Sequence, residues 1–181
     1  MKSSLKKEIL EHVHVNADTC YQCGKCSAGC PLGEEMDFPP SRLMRMLQTG
    51  NAELQEQVLH SLSIWVCLTC EVCYSRCPMS FDIPKLMDYL REKSLVEKKT
   101  NPRAKEIIAF HKSFLKSLEK TGRLYELGLL AHYKMHTGNF MQDLNLAPRM
   151  LVSGKLNIIP ELIHDRSRMA SVFSKTIKKK K

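Results

Sequence analysis

The chain has 181 residues, a formal net charge of +9 at pH 7 and a hydrophobic content of 43%. This length suffices for one or two small domains with a packed core. No apolar run approaches the roughly 20 residues that a transmembrane helix needs, so we expect no membrane span. A basic charge is one sign of nucleic-acid binding, but no interleaving of aromatic and basic residues accompanies it, so nucleic acid is not expected as a partner.

The N-terminal part of the sequence predicts short helices around cysteine-rich segments. Leu5 to Val13 has the apolar spacing of an amphipathic helix. Prolines and a serine at 39–41 mark the start of a second helix, which Gly50 ends. A third helix is predicted from Ala52 to about Leu62, where leucines and a valine share one face.

All eight cysteines lie in two runs of one pattern. The first is Cys20-Tyr-Gln-Cys-Gly-Lys-Cys-Ser-Ala-Gly-Cys30-Pro31, and the second is Cys67-Leu-Thr-Cys-Glu-Val-Cys-Tyr-Ser-Arg-Cys77-Pro78. Soft thiolates at this spacing, with a trailing proline, are typical of the bacterial-type ligands of cubane iron–sulfur clusters. The sequence therefore predicts two [4Fe–4S] clusters.

The fourth cysteine of each run is expected to bind the cluster of the other run. It follows the third by four residues, which is about 6 Å along a helix axis, and so points away from its own loop. The next residue, a proline, helps to turn the chain there. The predicted ligands are Cys20, Cys23, Cys26 and Cys77 for cluster 1, and Cys67, Cys70, Cys73 and Cys30 for cluster 2. Crossing makes the two clusters near neighbours.

Two other roles compete for the cysteines. Zinc sites use pairs of Cys-x-x-Cys rather than four stepped thiols followed by proline, so a structural zinc-binding adaptor is the alternative of a different class. A disulfide framework belongs to small secreted chains. Here the positive start of the chain is soon followed by Glu8 and Glu11, which does not form a signal-peptide core. We therefore expect a reducing cytoplasm.

The sequence after the second run repeats the sequence after the first. Phe81-Asp-Ile-Pro84-Lys-Leu-Met87 matches Phe38-Pro-Pro40-Ser-Arg-Leu-Met44. Each cluster loop and its following helix thus form one copy of an internal duplication. The second copy continues as an amphipathic helix from Ile83 to Val96.

The second half of the chain predicts helices at Arg103 to Glu119 and at Leu124 to Met135, with no cysteine. We expect a mainly α protein with an α-helical ferredoxin-like domain at 1–96, a helical hairpin at 97–137 and a C-terminal tail at 138–181.

The tail is too apolar for a free disordered arm, so it either wraps a partner protein, which is the predicted role, or packs on its own core. Its apolar residues are Leu144, Leu146, Met150, Leu151, Leu156, Ile158 and Ile159.

Other features indicate less. His132 and His136 stand one helical turn apart, but without a neighbouring glutamate they are expected to be a solvated or interface pair. Lys25, Arg76 and Lys85 lie near the cysteines, where their charge either raises the cluster potentials or is simply solvated. The sequence contains no glycine-rich nucleotide loop and no nucleophile–base pattern. We therefore predict no nucleotide or flavin site and no catalytic residues.

The local sequences resemble one family closely. Cys-x-x-Cys-Gly-Lys-Cys-Ser-Ala-Gly-Cys-Pro and Trp-x-Cys-x-Thr-Cys-x-x-Cys-x-x-Arg-Cys-Pro, about 47 residues apart, look like the C subunit of heterodisulfide reductase. The motifs cover roughly residues 18–90. The rest of the chain is similar to that family in length and helical character.

The resemblance implies an electron-transfer protein rather than a catalytic one. In that family, two [4Fe–4S] clusters relay electrons from a flavin-containing A subunit to a B subunit. The Cys-Cys-Gly motifs of the B subunit hold the clusters that cleave the coenzyme M–coenzyme B disulfide in methanogenesis. A hydrogenase or a formate dehydrogenase is a further candidate partner through the A subunit. This chain has no cysteine after Cys77 and so lacks the motifs of the B subunit.

Two other electron carriers fit the same residues. One is an equivalent relay subunit of another heterodisulfide-reductase-like complex, in sulfur oxidation or folate-linked metabolism. The other is a free-standing ferredoxin, against which the apolar tail argues.

Overall fold

The structure, a computed structural model, describes residues 4–138, 147–153, 159–160 and 162–176. Helices and 3-10 turns are the regular elements of these residues, and no strand occurs among them. This confirms the predicted mainly α fold. The chain divides into two compact units, Met1–Lys105 and Glu106–Lys181. The domain boundaries at residues 96 and 137 stay predictions.

Unit 1 holds both cysteine runs. Its helices are α1 (Leu5–Val13), α2 (Lys25–Ala28), α3 (Pro40–Gln48), α4 (Ala52–Leu59), α5 (Ser63–Val66), α6 (Val72–Arg76) and α7 (Ile83–Val96). Helices α1 and α7 begin and end at the predicted residues. Helices α2, α5 and α6 were not predicted, because four or five residues are too few for an apolar period to appear.

The internal duplication of the sequence is also a duplication of the core. Leu43 and Met44 of α3 are 0% and 1% exposed, and their counterparts Leu86 and Met87 of α7 are both 0% exposed. Each of these two helices therefore directs the same pair of side chains inward, just after its cysteine run. Helices α3 and α7 both have proline in their first turn, where its missing N–H costs nothing.

Unit 2 contains α8 (Lys105–Thr121) except for its first residue, together with α9 (Glu126–Thr137), α10 (Ala147–Val152) and α11 (Arg166–Thr176). Helices α8 and α9 are joined by side-chain contacts. The rings of Phe110 and Tyr133 meet edge to face with centroids 6.2 Å apart, and the Nδ1 atom of His132 lies 2.8 Å from the buried Ser113 hydroxyl. None of the described helices combines the length and the apolar character that crossing a bilayer requires.

Much of the predicted tail lies outside the described residues. This applies to Leu144, Leu146, Leu156 and Ile158. Of the described apolar side chains in the tail, those of Val152 and Ile159 are 92% and 80% exposed. The wrapping of a partner by this segment stays a prediction.

One carboxylate joins the two halves of the duplication. Asp37, just before α3, accepts hydrogen bonds from the backbone N–H groups of Leu62 at 2.7 Å and Ser63 at 2.9 Å, and from the Ser63 hydroxyl. The Ser63 hydroxyl oxygen in turn accepts the N–H of Phe38 at 2.8 Å. Asp37 therefore satisfies the free donors where α5 begins. This new start explains why α4 ends at Leu59, short of the predicted Leu62.

These hydrogen bonds also shift the titration of Asp37. Burial opposes ionisation, but the bonds from Ser63, Leu62 and Phe38 outweigh it and hold the pKa of Asp37 below its usual value. A group with a lowered pKa in the folded state stabilises the fold above its pKa in the unfolded chain, and this contribution is lost as the pH falls through the folded value.

We expect Asp37→Ala to lower the free energy of unfolding by about 1–2 kcal/mol, because the substitution leaves the donors at the start of α5 unpaired. Anaerobic chemical denaturation of the full chain, followed by circular dichroism, measures this. Asp18→Ala is the matched control, since Asp18 is 52% exposed and makes a surface ion pair with Lys6. The control should cost less than about 1 kcal/mol.

The difference in stability between the wild-type chain and Asp37→Ala should also depend on pH. It should be full at neutral pH and shrink as the pH falls below about 4, where the unfolded carboxylate takes up its proton. A difference that stays constant through this range would mean that the charge of Asp37 does not stabilise α5.

Candidate iron–sulfur site

Both cysteine loops contain left-handed backbone at equivalent positions. In the first loop Gln22 has φ 54° and Gly24 has φ 74°, and in the second Thr69 has φ 51° and Glu71 has φ 61°. Glycine adopts this conformation freely, whereas a β-branched residue such as threonine does so rarely. Strain of this kind persists only where the surrounding structure requires it, and it is common at functional sites. The two loops are thus folded to one special geometry in spite of different residues.

The backbone conformation of both loops favours the binding of an anionic group. Gly24 and Glu71 each directly precede a short right-handed helix, α2 or α6. Left-handed residues next to right-handed ones turn successive backbone N–H groups to one side and form a concave nest, which is found at many Fe–S sites. A cubane cluster with four thiolates carries net negative charge, so the nest matches it electrostatically.

The first site is a cavity with an empty volume of about 380 Å³, part of which is open to solvent. Three of its cysteines come from the first loop, and the fourth is Cys77 from the second run. Most of the remaining wall is apolar. The cysteines are Cys20, Cys23, Cys26 and Cys77, and the apolar wall includes Met44, Pro78, Met79, Phe81 and Ile83.

The second site is a cavity of similar size, about 400 Å³, built from the other copy of the duplication. Its cysteines are Cys67, Cys70, Cys73 and Cys30, and its apolar wall includes Pro31, Leu32, Met36, Pro40, Ile83 and Met87. Equivalent residues of the two copies line the two cavities. Met87 lies in the second cavity as Met44 does in the first, and Pro31 lies in the second as Pro78 does in the first. Ile83 lines both cavities, so the two are direct neighbours.

The packing of α2 against α6 brings each fourth cysteine to the other loop. The Arg76 side chain at the end of α6 crosses Gly29, which follows α2. A Cβ atom on Gly29 would lie 2.7 Å from the Arg76 side chain, so a larger residue here would require that side chain to shift. Cys30 and Cys77 directly follow these two residues and are therefore carried across the contact.

The thiols differ in exposure. Cys23 and Cys70, at equivalent positions, are exposed, and the other six are intermediate. Burial raises the pKa of the Cys26 and Cys67 thiols, and that of Cys73 to about 11. Metal binding at these thiols has to release their protons, because the thiolate is the metal ligand.

Two side chains hold the first cysteine of each loop by its carbonyl oxygen. Gln48 donates from Nε2 to the carbonyl of Cys20 at 3.1 Å and to that of Asp18 at 3.2 Å. Arg91 donates from Nη2 to the carbonyl of Cys67 and from Nε to that of Ile64. Neither residue was predicted from the sequence. The signal was present, since aligning Phe38 with Phe81 sets Gln48 opposite Arg91.

The other residues singled out in the sequence lie in different places. Lys25 lines the first cavity, and Arg76 lies at the contact between the two loops, whereas Lys85 is exposed on α7. His132 and His136 stack on each other with ring centroids 4.3 Å apart, in unit 2. The Nδ1 of His136 bonds to the carbonyl of His132 at 3.0 Å.

The cysteines are spaced around a cavity that would hold a cluster, rather than gathered around the position of a single metal ion. Within the described ranges, no three Cys, His, Asp or Glu side chains are placed to hold a single metal ion. In a cubane each thiolate binds a different iron corner, so its ligands stand apart around the cluster. Four soft donors around each cavity, apolar walls and a nest of N–H groups fit a [4Fe–4S] cluster.

Relatives of known function point to the same cofactor. Residues 19–82 match the model of the 4Fe-4S dicluster domain family. The iron–sulfur C subunit of CoB–CoM heterodisulfide reductase from Methanopyrus kandleri is 38% identical over 82 residues, which are 45% of this chain and 41% of the relative. The iron–sulfur C 2 subunit of the reductase from Methanocaldococcus jannaschii is 35% identical over 81 residues, with the same coverage of 45% and 41%.

A third relative has a longer aligned region. The C subunit of the H(2):CoB–CoM heterodisulfide,ferredoxin reductase from Methanothermobacter thermautotrophicus is 27% identical over 97 residues, or 51% of each chain. The chain thus spans about half the length of the curated relatives it matches. The matched residues 19–82 contain both cysteine runs, and these comparisons confirm the predicted resemblance and the iron–sulfur character of the site. The chain thus contains a 4Fe-4S dicluster domain, and over part of its length it is similar to C subunits of heterodisulfide reductases.

Proposed function

We propose that this chain binds two [4Fe–4S] clusters with crossed ligands and relays electrons within a heterodisulfide reductase complex. Each cluster, when bound, supplies one-electron redox chemistry. Cluster 1 is assigned to Cys20, Cys23, Cys26 and Cys77, and cluster 2 to Cys67, Cys70, Cys73 and Cys30. The chain itself makes and breaks no substrate bond in this proposal.

The observation that carries the proposal is the lining of the two cavities. Each contains four cysteines, three from one run and one from the other. If the two loops were independent, each cavity would instead be lined by the four cysteines of a single run. The sharing of Ile83 by both cavities supports electron exchange between the sites, because it keeps them close.

The chain's own residues perform three tasks in such a relay. The methionines and prolines of the walls keep water from the sites, and the strained loops fix the thiols in advance of binding. Tyr21 and Leu68, at equivalent positions, are 70% and 62% exposed beside the exposed Cys23 and Cys70. We assign these two loop tips as the places where electrons enter and leave.

The proposed partners are a flavin-containing A subunit and a B subunit with Cys-Cys-Gly motifs. The names of the relatives support this, since each is a C subunit of a heterodisulfide reductase. The exposed apolar side chains of Val152 and Ile159 support a contact with another protein. A reducing cytoplasm is the proposed compartment, because the cysteines are needed as free thiolates.

Three alternatives remain distinct from this proposal. A relay subunit of another heterodisulfide-reductase-like complex would use the same site with different partners, and a free-standing ferredoxin would have none. A zinc adaptor would use the same cysteines without redox chemistry, but the match of residues 19–82 to a 4Fe-4S dicluster domain favours iron.

We expect Cys77→Ser to damage cluster 1 rather than the cluster of its own run, because its side chain lines the first cavity. The electron paramagnetic resonance signal of one reduced cluster should be lost or altered, with about half of the iron released if cluster 1 is not retained. Cys23→Ser should affect the same signal, whereas Cys70→Ser should affect the other.

Ser75→Ala is the matched control, since Ser75 is exposed two residues from Cys77 and its hydroxyl donates to the local carbonyl of Glu71 at 3.2 Å. This variant should retain both signals. If Cys77→Ser and Cys70→Ser remove the same signal, the ligands are not crossed.

We expect anaerobic capture of the full chain from its native cells to yield about eight iron atoms per chain, with a flavoprotein and a Cys-Cys-Gly protein. The metals are measured by elemental analysis, and the captured proteins are identified by mass spectrometry. A variant with all eight cysteines changed to serine is the control for adventitious iron.

Each other outcome selects an alternative. Eight irons with no partner would indicate a free-standing ferredoxin, and eight irons with sulfur- or folate-metabolising partners would indicate a related complex. Zinc in place of iron would refute the electron relay.

A further inference from the structure

The two copies of the duplication differ in the side chain that binds the carbonyl oxygen of the first cysteine in each loop. A neutral amide, Gln48, binds the carbonyl oxygen of Cys20, and a guanidinium, Arg91, binds the carbonyl oxygen of Cys67. The two side chains occupy matching positions of the duplicated helices α3 and α7. They perform the same positioning task, yet only one of them brings a positive charge to its site.

The charge of Arg91 is fixed and partly removed from water. Its side chain is 16% exposed, and all three of its nitrogens are engaged. Nε and Nη2 donate to the carbonyls of Ile64 and Cys67, and Nη1 contacts the Asp88 carboxylate at 2.8 Å. Because a guanidinium stays charged at any working pH, this is a permanent cation on the backbone of a predicted cluster ligand.

Neighbouring charges act more weakly on this site. Asp88 is 63% exposed, so water screens its opposing charge more than it screens Arg91. Lys25, Glu71 and Arg76, the charged residues of the loops themselves, are also exposed. Salt and solvent reduce their influence, whereas the held position of Arg91 preserves its own.

We propose that Arg91 raises the reduction potential of cluster 2 specifically, and that Gln48 leaves cluster 1 without this contribution. The inference rests on the proposed function. One-electron reduction makes a thiolate-bound cubane more negative, and a fixed cation beside a ligand stabilises that form. Arg91 is a positioning residue in this account, since it acts through the Cys67 carbonyl and through its field rather than by touching the cluster.

The test replaces each residue by its counterpart in the reconstituted full chain. Dithionite titration under anaerobic conditions, followed by electron paramagnetic resonance, gives the midpoint potential of each cluster. The Cys77→Ser and Cys30→Ser variants identify which midpoint belongs to which cluster. Arg91→Gln should lower the cluster 2 midpoint by about 59 mV, a tenfold change in the one-electron equilibrium. Gln48→Arg should raise the cluster 1 midpoint.

Two further variants separate charge from structure. Arg91→Lys keeps the charge but not the forked hydrogen bonds that hold it in place, so its cluster 2 midpoint should lie between those of the wild type and Arg91→Gln. Lys7→Gln removes an exposed charge on α1, and neither midpoint should move. If Arg91→Gln does not retain cluster 2, the Arg91→Lys and Gln48→Arg results still decide the proposal.

Unchanged midpoints in Arg91→Gln and Gln48→Arg would overturn the proposal, as would an Arg91→Lys midpoint as low as that of Arg91→Gln. In those cases two titrating clusters would remain, and the electron-relay function would stand. A wild-type chain that takes up no iron would instead refute the proposed function together with this inference.

Discussion

The contact between α2 and α6 is the constraint on which the rest of unit 1 depends. Each of these helices has four or five residues, too few to be stable alone. Packed together through Gly29 and Arg76, they carry the last cysteine of each run to the cavity of the other. The buried faces of α3 and α7 then close over the same region, so the core and the site form as one structure.

Elements with a periodic apolar face or a strict spacing of ligands could be predicted from the sequence. The bounds of α1 and α7, the mainly α class and the two cysteine runs could be read in this way. The short helices α2, α5 and α6 could not, because they are held by tertiary contacts such as the Asp37 carboxylate at the start of α5. The left-handed Thr69 and Glu71 also have no signal in sequence, since neither residue favours that conformation.

The supporting residues of the site were harder to predict than the ligands. The type and spacing of the cysteines identify them as metal ligands in the sequence. Gln48 and Arg91, in contrast, are polar residues on helices and have no such pattern. Their role depends on which carbonyl they reach, and this requires the fold. When the alignment of the two copies is extended beyond the cysteines, Gln48 and Arg91 fall at equivalent positions. The position of one of them then predicts the position of the other.

The walls of the first cavity extend from Cys20 to Ile83 in the chain. During synthesis, the first loop leaves the ribosome well before the second. At that stage it presents three of the four thiols that line the first cavity, without the part of the wall that begins at Pro78. The first pocket is therefore completed only when the second run and the start of α7 have emerged. A chain that ends before residue 77 would therefore present three thiols of the first pocket without the fourth thiol and without the apolar side chains that follow it.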